Sequence, residues 1–327
     1  MTCRGDLPWW RRIRPEEYLF VLFASALAAT IQFGGRVGWS DVGALALSKV
    51  RAYAAFMAVP LSAAGVLAVA VVAWRRRTAA ALSTLRDVAP FLLAYLSYVL
   101  LRDLVPLLRP GLLDGRLADM ETAALGVPSF VAIPNAIGCA FLDFLLMGCY
   151  LSHYYVPPAF AIWLAWKDRA RFRTFMLALT ISWAVGYLGY LAVPAIGPKY
   201  YFANYELWKT HPGLSPALHI IEGFAGISRD CFPSMHVAWT VLTLWFARPE
   251  RLFFRLYLPV GAGLALATLY FGFHYLIDLP AGALLAVLAA VAARRLHDWW
   301  NRGDSAILRA CGSAPSGSGS PPASACS

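Results

Sequence analysis

Long apolar runs separated by basic clusters are the feature that most constrains the fold of this chain. Runs of roughly 20 residues, the length that a helix needs to cross a bilayer, lie near 17–34, 53–74, 88–107, 141–165, 174–196, 235–248, 255–274 and 279–296. The chain is 60% hydrophobic and only 14% charged, whereas about a quarter of the residues of a soluble domain are charged. The sequence therefore predicts an all-α polytopic membrane helix bundle with about eight transmembrane helices.

Arginine and lysine residues between the runs indicate the orientation of the helices. With eight spans, all of the basic clusters fall on one side of the membrane: 11–14, 75–77, 167–173, 248–255 and 294–295. Basic loops are retained preferentially in the cytoplasm, so we expect both termini to be cytoplasmic. Basic residues beside spans also meet anionic lipid, so the net charge of +10 requires no nucleic-acid partner. The excess of arginine over lysine favours a GC-rich genome and a bacterial cytoplasmic membrane.

The stretch "RDCFPSMHVAW", residues 229–239, places polar residues at the threshold of the sixth span. In the predicted topology this threshold faces the outside of the cell. Pro233 and Ser234 stand where a helix begins, and the free backbone N–H groups of a helix start bind phosphate and other anions. An ordinary helix cap would explain Ser234, but it leaves the neighbouring His236 and Arg229 without a role.

The seventh span ends in "YFGFHYLIDLPAG", which brings His274 and Asp278 to the same outer level. If the helix continues through both, their spacing of four places them on one face. The carboxylate can then fix the ring tautomer and leave the other nitrogen as a nucleophile, while His236 protonates the leaving oxygen. The alternative is that Asp278 only caps the last span. Lys199, in "PAIGPKYYF" at the end of the fifth span, and Arg229 are candidate cations for phosphoryl oxygens.

Asp143 and His153 lie in the fourth span, where an ionisable side chain suggests a function. We expect Asp143, near the outer end, to be an accessory site residue and His153 to contact a neighbouring helix. The six cysteines have no metal-binding spacing, and we expect neither a metal nor a cofactor. The histidines leave a rival interpretation open, a haem-binding electron carrier, in which Asp278 would have no role. A membrane transporter is a second non-enzymatic alternative, although the chain shows no internal repeat.

"FPSMH" followed by "HYLID" resembles the phosphatidic acid phosphatase type 2 superfamily, and more closely its inositol phosphorylceramide synthase branch. "FLDFLLMGCYLSHYYVPPAF" and "PAIGPKYYF" are similar to the same branch. The resemblance implies a six-helix catalytic core, assigned to residues 88–300. It also implies His274 as the nucleophile, Asp278 as its orienting carboxylate and His236 as the general acid and base. Residues 1–87, with two helices, would be an addition, and the Gly/Ser/Pro-rich end makes 301–327 a predicted disordered tail. A short interfacial helix is predicted around 129–139.

The chain departs from the phosphatase pattern at two arginine positions. Glu206 and Leu207 stand where the phosphatases carry Arg-Pro, and Ala267 and Thr268 stand where they carry Ser-Arg. A monoester dianion needs more positive charge than a diester monoanion, so we expect a lipid phosphodiester donor and an alcohol acceptor such as a ceramide-like lipid. A lipid phosphate phosphatase, with water as the acceptor, is the alternative. The oligomeric state is left open.

Overall fold

The structure, a computed structural model, describes residues 13–34, 38–44, 100–202 and 228–312, together with 86, 89–90, 93 and 97–98. The described chain is helical, as predicted. Its helices are α1 (Pro15–Gly34), α2 (Asp114–Leu125), α3 (Ser129–Ile137), α4 (Ala140–Lys167), α5 (Arg169–Ala192), α6 (Pro198–Tyr201), α7 (Met235–Ala247), α8 (Arg251–Tyr270) and α9 (Asp278–Gly312). Residues 100–108 are helical as well.

Four of the described helices are long and apolar enough to cross a membrane. These segments are Pro15–Phe33, Arg169–Ala192, Arg251–Tyr270 and Asp278–Arg302, and the apolar helix α7 is shorter. The prediction of a polytopic helical membrane protein is therefore confirmed. The predicted span 53–74 lies outside the described residues and 88–107 is described only in part, so the number of eight stays a prediction.

Helix α5 lies at the centre of the bundle and packs against α1, α4, α7 and α9. Most of its residues are buried, including Trp183, whose ring forms an edge-to-face pair with that of Phe23 at a centroid distance of 4.9 Å. A helix that is apolar on nearly all sides is expected in the interior of a bundle. This core holds α7 and α9, which carry His236 and Asp278 of the candidate site.

The α8–α9 connection differs from the sequence-based prediction. Helix α8 ends at Tyr270 and α9 begins at Asp278, so the condition that one helix continues through His274 and Asp278 is not met. Gly272 has a φ of 68°, a left-handed conformation that glycine adopts at helix ends without steric cost. Residues 271–277 therefore form a turn, and His274 lies in it.

The region around 129–139 and the C-terminal tail from residue 301 also bear on the predicted organisation. Helix α3 confirms the short helix expected around 129–139, whereas α2 was not predicted. Helix α9 continues through Gly312 and so extends into the predicted tail 301–327, whose disorder stays a prediction. Residues 301–312 contain no proline to stop the helix. Residues 313–327 lie outside the described residues.

Two turns with basic residues meet at the end of the bundle remote from His236. Lys167, at the end of α4, and Arg171, in the first turn of α5, contact Glu250 at 2.6 and 2.7 Å. Glu250 precedes α8 as its N-cap residue. The hydrogen bonds from Lys167 and then Arg171 lower the pKa of Glu250, so it is the carboxylate form that joins the α4–α5 turn to the α7–α8 turn.

Candidate active site

Asp278, His274 and His236 form a continuous chain of polar contacts. Asp278 Oδ2 lies 3.3 Å from His274 Nδ1, and His274 Nε2 lies 3.2 Å from His236 Nδ1. Asp278 is fully buried and His274 is 3% exposed, whereas His236 is half-buried. The order carboxylate, inner histidine, outer histidine is that of a nucleophile oriented from behind and approached from the front by an acid–base group.

The arrangement fixes which ring nitrogens carry hydrogen. A carboxylate accepts hydrogen bonds, so the Nδ1–H of His274 donates to Asp278 and its Nε2 carries a lone pair. His236 Nδ1 must then donate to that lone pair. Because the two rings are in direct hydrogen-bond contact, a phosphoryl group bonded to His274 Nε2 would take the position that the His236 N–H now occupies.

Backbone and thiol groups hold Asp278 in place. Its Oδ2 accepts hydrogen bonds from the Tyr275 N–H at 2.7 Å and from the Cys231 thiol at 2.9 Å. Burial, followed by the charge of Asp278, raises the pKa of the Cys231 thiol, which keeps it protonated as a donor. Asp278 Oδ1 is buried and has no hydrogen-bond partner in the part of the chain that the structure describes.

The start of α7 presents His236. Ser234 is the N-cap residue and its hydroxyl oxygen accepts from Val237 N at 3.3 Å. The Ser234 N–H donates to the backbone oxygen of Asp278 at 3.1 Å, so the starts of α7 and α9 are joined directly. Gly282 makes this approach feasible, since a Cβ there would lie 2.2 Å from Ser234 O. Ser234 thus acts as a cap, and its predicted phosphate binding stays a prediction.

Lys199 lies beside the turn that carries His274. Its backbone N–H donates to Gly272 O at 2.8 Å, and its ammonium group lies 5.3 Å from the ring centre of Phe273. The side chain is 8% exposed. The structure thus brings Lys199 next to the residue that precedes His274, and its action on a phosphoryl group stays a prediction.

The contacts of Arg229 lead away from the histidines. Its Nη1 donates to the backbone oxygen of Arg109 and lies 3.5 Å from that of Gly111. These carbonyls belong to the segment between the helical residues 100–108 and α2. A phosphate-binding role for Arg229 stays a prediction, and its observed contacts anchor the loop that leads to α7.

Helix α4 lies along the site and supplies contacts that the sequence did not predict in detail. Asp143 is buried and accepts a hydrogen bond from Tyr270 at 2.5 Å, which joins α4 to α8. The ring centres of His153 and Tyr150 lie 4.4 and 4.9 Å from that of His236. The expected contact of His153 with a neighbouring helix is therefore a contact with the outer histidine itself. Tyr150 and the contact of His153 with His236 were identifiable only from the three-dimensional packing.

One cluster of side chains has the composition of a metal site. Among the described residues, the ligand atoms of Cys231, His274 and Asp278 lie within 4.8 Å of one another. The hydrogen bonds of these same atoms already account for their proximity. The expectation of a reaction without a metal stays a prediction.

Comparison with known proteins identifies the family. A search of curated proteins and a search of solved structures found no match. The sequence model of the PAP2 superfamily matches residues 125–292, a stretch that covers more than half of the chain and contains every residue of the Asp278–His274–His236 chain. The protein therefore belongs to the PAP2 superfamily.

Proposed function

We propose that this protein is a membrane phosphotransferase that moves the phospho-headgroup of a lipid phosphodiester to an alcohol acceptor through a phosphohistidine at His274. PAP2 superfamily membership supports phosphatase or phosphotransferase chemistry in general. The observation that carries the proposal is the contact chain from Asp278 through His274 Nε2 to His236. It provides an oriented nucleophile and an acid–base group at one point.

The reaction proceeds in two displacements at phosphorus. The lone pair of His274 Nε2 attacks phosphorus, the bond to the diacylglycerol oxygen breaks, and protonated His236 gives its proton to that oxygen. The acceptor hydroxyl then attacks phosphorus and transfers its proton to His236, and the N–P bond breaks. Asp278 stabilises the positive charge on the His274 ring in both steps. Lys199 neutralises phosphoryl oxygen charge.

Within the described residues, the lack of an arginine at position 268 supports a diester donor. Ala267 and Thr268 stand where the phosphatase pattern has Ser-Arg, and both are fully buried. The Thr268 hydroxyl donates to Ala265 O at 2.7 Å. The other position, Glu206 and Leu207, lies outside the described residues. A charge-assisted hydrogen bond contributes about 1.5–3 kcal/mol, and a dianion loses more than a monoanion when such bonds are missing.

The position of the basic turns supports an active site on the outer face and cytoplasmic termini. Glu250 joins the α4–α5 and α7–α8 turns at one end of the bundle, while His236 begins α7 at the other end. If the basic end is cytoplasmic, the histidines face outward in a bacterial cytoplasmic membrane.

A panel of headgroup-labelled phospholipids tests the proposal. Purified protein is incubated with phosphodiester lipids and with phosphatidic acid, each with and without ceramide. We expect a phosphodiester to be consumed faster than phosphatidic acid, with transfer of the labelled phospho-headgroup to the acceptor lipid. Release of inorganic phosphate from phosphatidic acid at a rate well above that of every diester would establish the phosphatase alternative instead.

A further inference from the structure

Helix α2 carries two buried carboxylates on the face that it turns toward the bundle. Asp114, Leu117, Ala118 and Glu121 are its buried residues, and their spacing places them on one side of a helix. Asp114 is 0% and Glu121 3% exposed. Both precede residue 125, where the match to the PAP2 superfamily begins. Burying a carboxylate is costly unless hydrogen bonds compensate for the lost water.

Asp114 bonds to the loop that carries Lys199. Its carboxylate accepts from Gly197 N at 2.9 Å and from Ile196 N at 3.0 Å. The loop between α5 and α6 has no helical hydrogen bonds of its own at these positions, so the carboxylate replaces them. Burial raises the pKa of Asp114, and the hydrogen bond from Ile196 N opposes that rise.

The same carboxylate bonds to the turn between His274 and Asp278. Asp114 Oδ1 accepts from the Tyr275 hydroxyl at 3.0 Å, while the Tyr275 backbone N–H donates to Asp278. Tyr275 is fully buried. One carboxylate therefore connects the backbone before Lys199 with the side chain that follows His274.

Glu121 holds the next residue of that turn. Its Oε1 accepts from Leu276 N at 2.8 Å and from the Ser129 hydroxyl at 2.7 Å. The two carboxylates, one near each end of α2, thus bond to consecutive residues of the 271–277 turn. Ser129 is the first residue of α3, so Glu121 also fixes α2 against the following helix.

We propose that Asp114 and Glu121 are positioning residues that hold Lys199 and the His274–Asp278 turn in the geometry needed for phosphoryl transfer. The inference rests on the proposed function, in which those groups act on one phosphorus atom. Reacting groups on two loops need a common support, because a displacement of about 1 Å can reduce a rate by about 100-fold. Helix α2 provides that support from a part of the chain that precedes the family match.

Asp114→Asn tests the carboxylate with little change in shape. The amide places an NH2 group where an oxygen now accepts hydrogen bonds, so we expect kcat to fall by about 10- to 100-fold, together with weaker inhibition by vanadate. Asp119→Asn is the matched control, because Asp119 is an exposed aspartate of the same helix; its activity should remain within about twofold of wild type. If Asp114→Asn does not fold, Tyr275→Phe is the replacement, because it removes only the hydroxyl donor. We expect it to lower kcat by at least about threefold without changing the yield of purified protein.

A double-mutant cycle with Lys199→Ala distinguishes positioning from general loss of stability. If two substitutions act independently, the relative activity of the double variant equals the product of the relative activities of the single variants. Because Asp114 acts in part through Lys199, we expect the double variant to be at least about threefold more active than that product. The inference is overturned if the effects of Asp114→Asn and Lys199→Ala on activity multiply fully. It is also overturned if Asp114→Asn is as active as Asp119→Asn. If Asp114→Asn does not fold, the same comparison is made with Tyr275→Phe. Unchanged activity of Lys199→Ala would instead refute the proposed role of Lys199, whatever the Asp114 variants do.

Discussion

At the residue scale, the direct contact between the two histidines defines the resting site. His236 Nδ1 lies 3.2 Å from His274 Nε2, so a hydrogen bond occupies the lone pair that would attack phosphorus in the proposed reaction. The rings of Tyr150 and His153 lie against His236 and limit where it can move. In the proposed reaction, the two histidines must therefore move apart when the phosphoryl group binds.

The proposed role of His236 as a general acid can be tested with a substrate whose leaving group needs no acid. His236→Ala should lower turnover of a lipid phosphodiester by about 10²–10⁴-fold. Release of nitrophenolate in the first turnover of an aryl phosphodiester should be much less affected, because this leaving group departs without a proton. His297→Ala is the control, since His297 contacts Thr174 in α5 and takes no part in the site. An equal loss on both substrates would contradict the acid role.

Some residues of the site were predictable from the sequence and others were not. The motifs "FPSMH" and "HYLID" were sufficient to single out His236, His274 and Asp278, because polar residues at the ends of apolar runs stand out. The contact of His274 with Asp278 was expected on the condition that one helix contains both residues, whereas a turn brings them together. Asp114 lies in the stretch 107–140, where polar and apolar residues are mixed without a regular apolar spacing. Nothing in the sequence therefore indicated that it is buried.

At the element scale, the helix ends divide the bundle into a basic end and an end that carries the candidate site. Helix α7 runs from the residues around His236 to the α7–α8 turn, and α8 returns to the turn that carries His274. The ion pairs of Glu250 place the α4–α5 turn at the basic end. Helix lengths and basic clusters allowed this arrangement to be predicted, because both follow from local composition.

Chemical labelling in intact cells tests which end faces outward. A cysteine introduced at Thr210, in the segment predicted to be external, should react with an impermeant maleimide. A cysteine at Arg169, at the start of α5, should react only after the membrane is opened. The parent chain is the control for its six native cysteines. Labelling of Arg169→Cys but not of Thr210→Cys in intact cells would invert the topology and place the active site in the cytoplasm.

At the scale of the whole molecule, α5 is the common support of the bundle. Its buried surface meets α1, α4, α7 and α9, and the last two deliver His236 and Asp278 to one point. The helical membrane class was predictable because it depends on composition summed over long segments. The support of the site by α2 was not, because it depends on hydrogen bonds between residues far apart in the chain, such as Asp114 and Tyr275.

The central claim is that phosphorus becomes bonded to His274, and trapping that bond is its most direct test. The His236→Ala variant is mixed with an aryl phosphodiester that is labelled at its phosphorus atom. The first displacement needs no acid, because the aryl group leaves without a proton. The second displacement lacks the base that His236 supplies. An alkaline quench preserves phosphohistidine, and the labelled peptide is identified by mass spectrometry. We expect label on the peptide that contains His274 and none in the His236→Ala/His274→Ala double variant. Turnover of the aryl substrate with no label on that peptide, or label that persists without His274, would contradict the account.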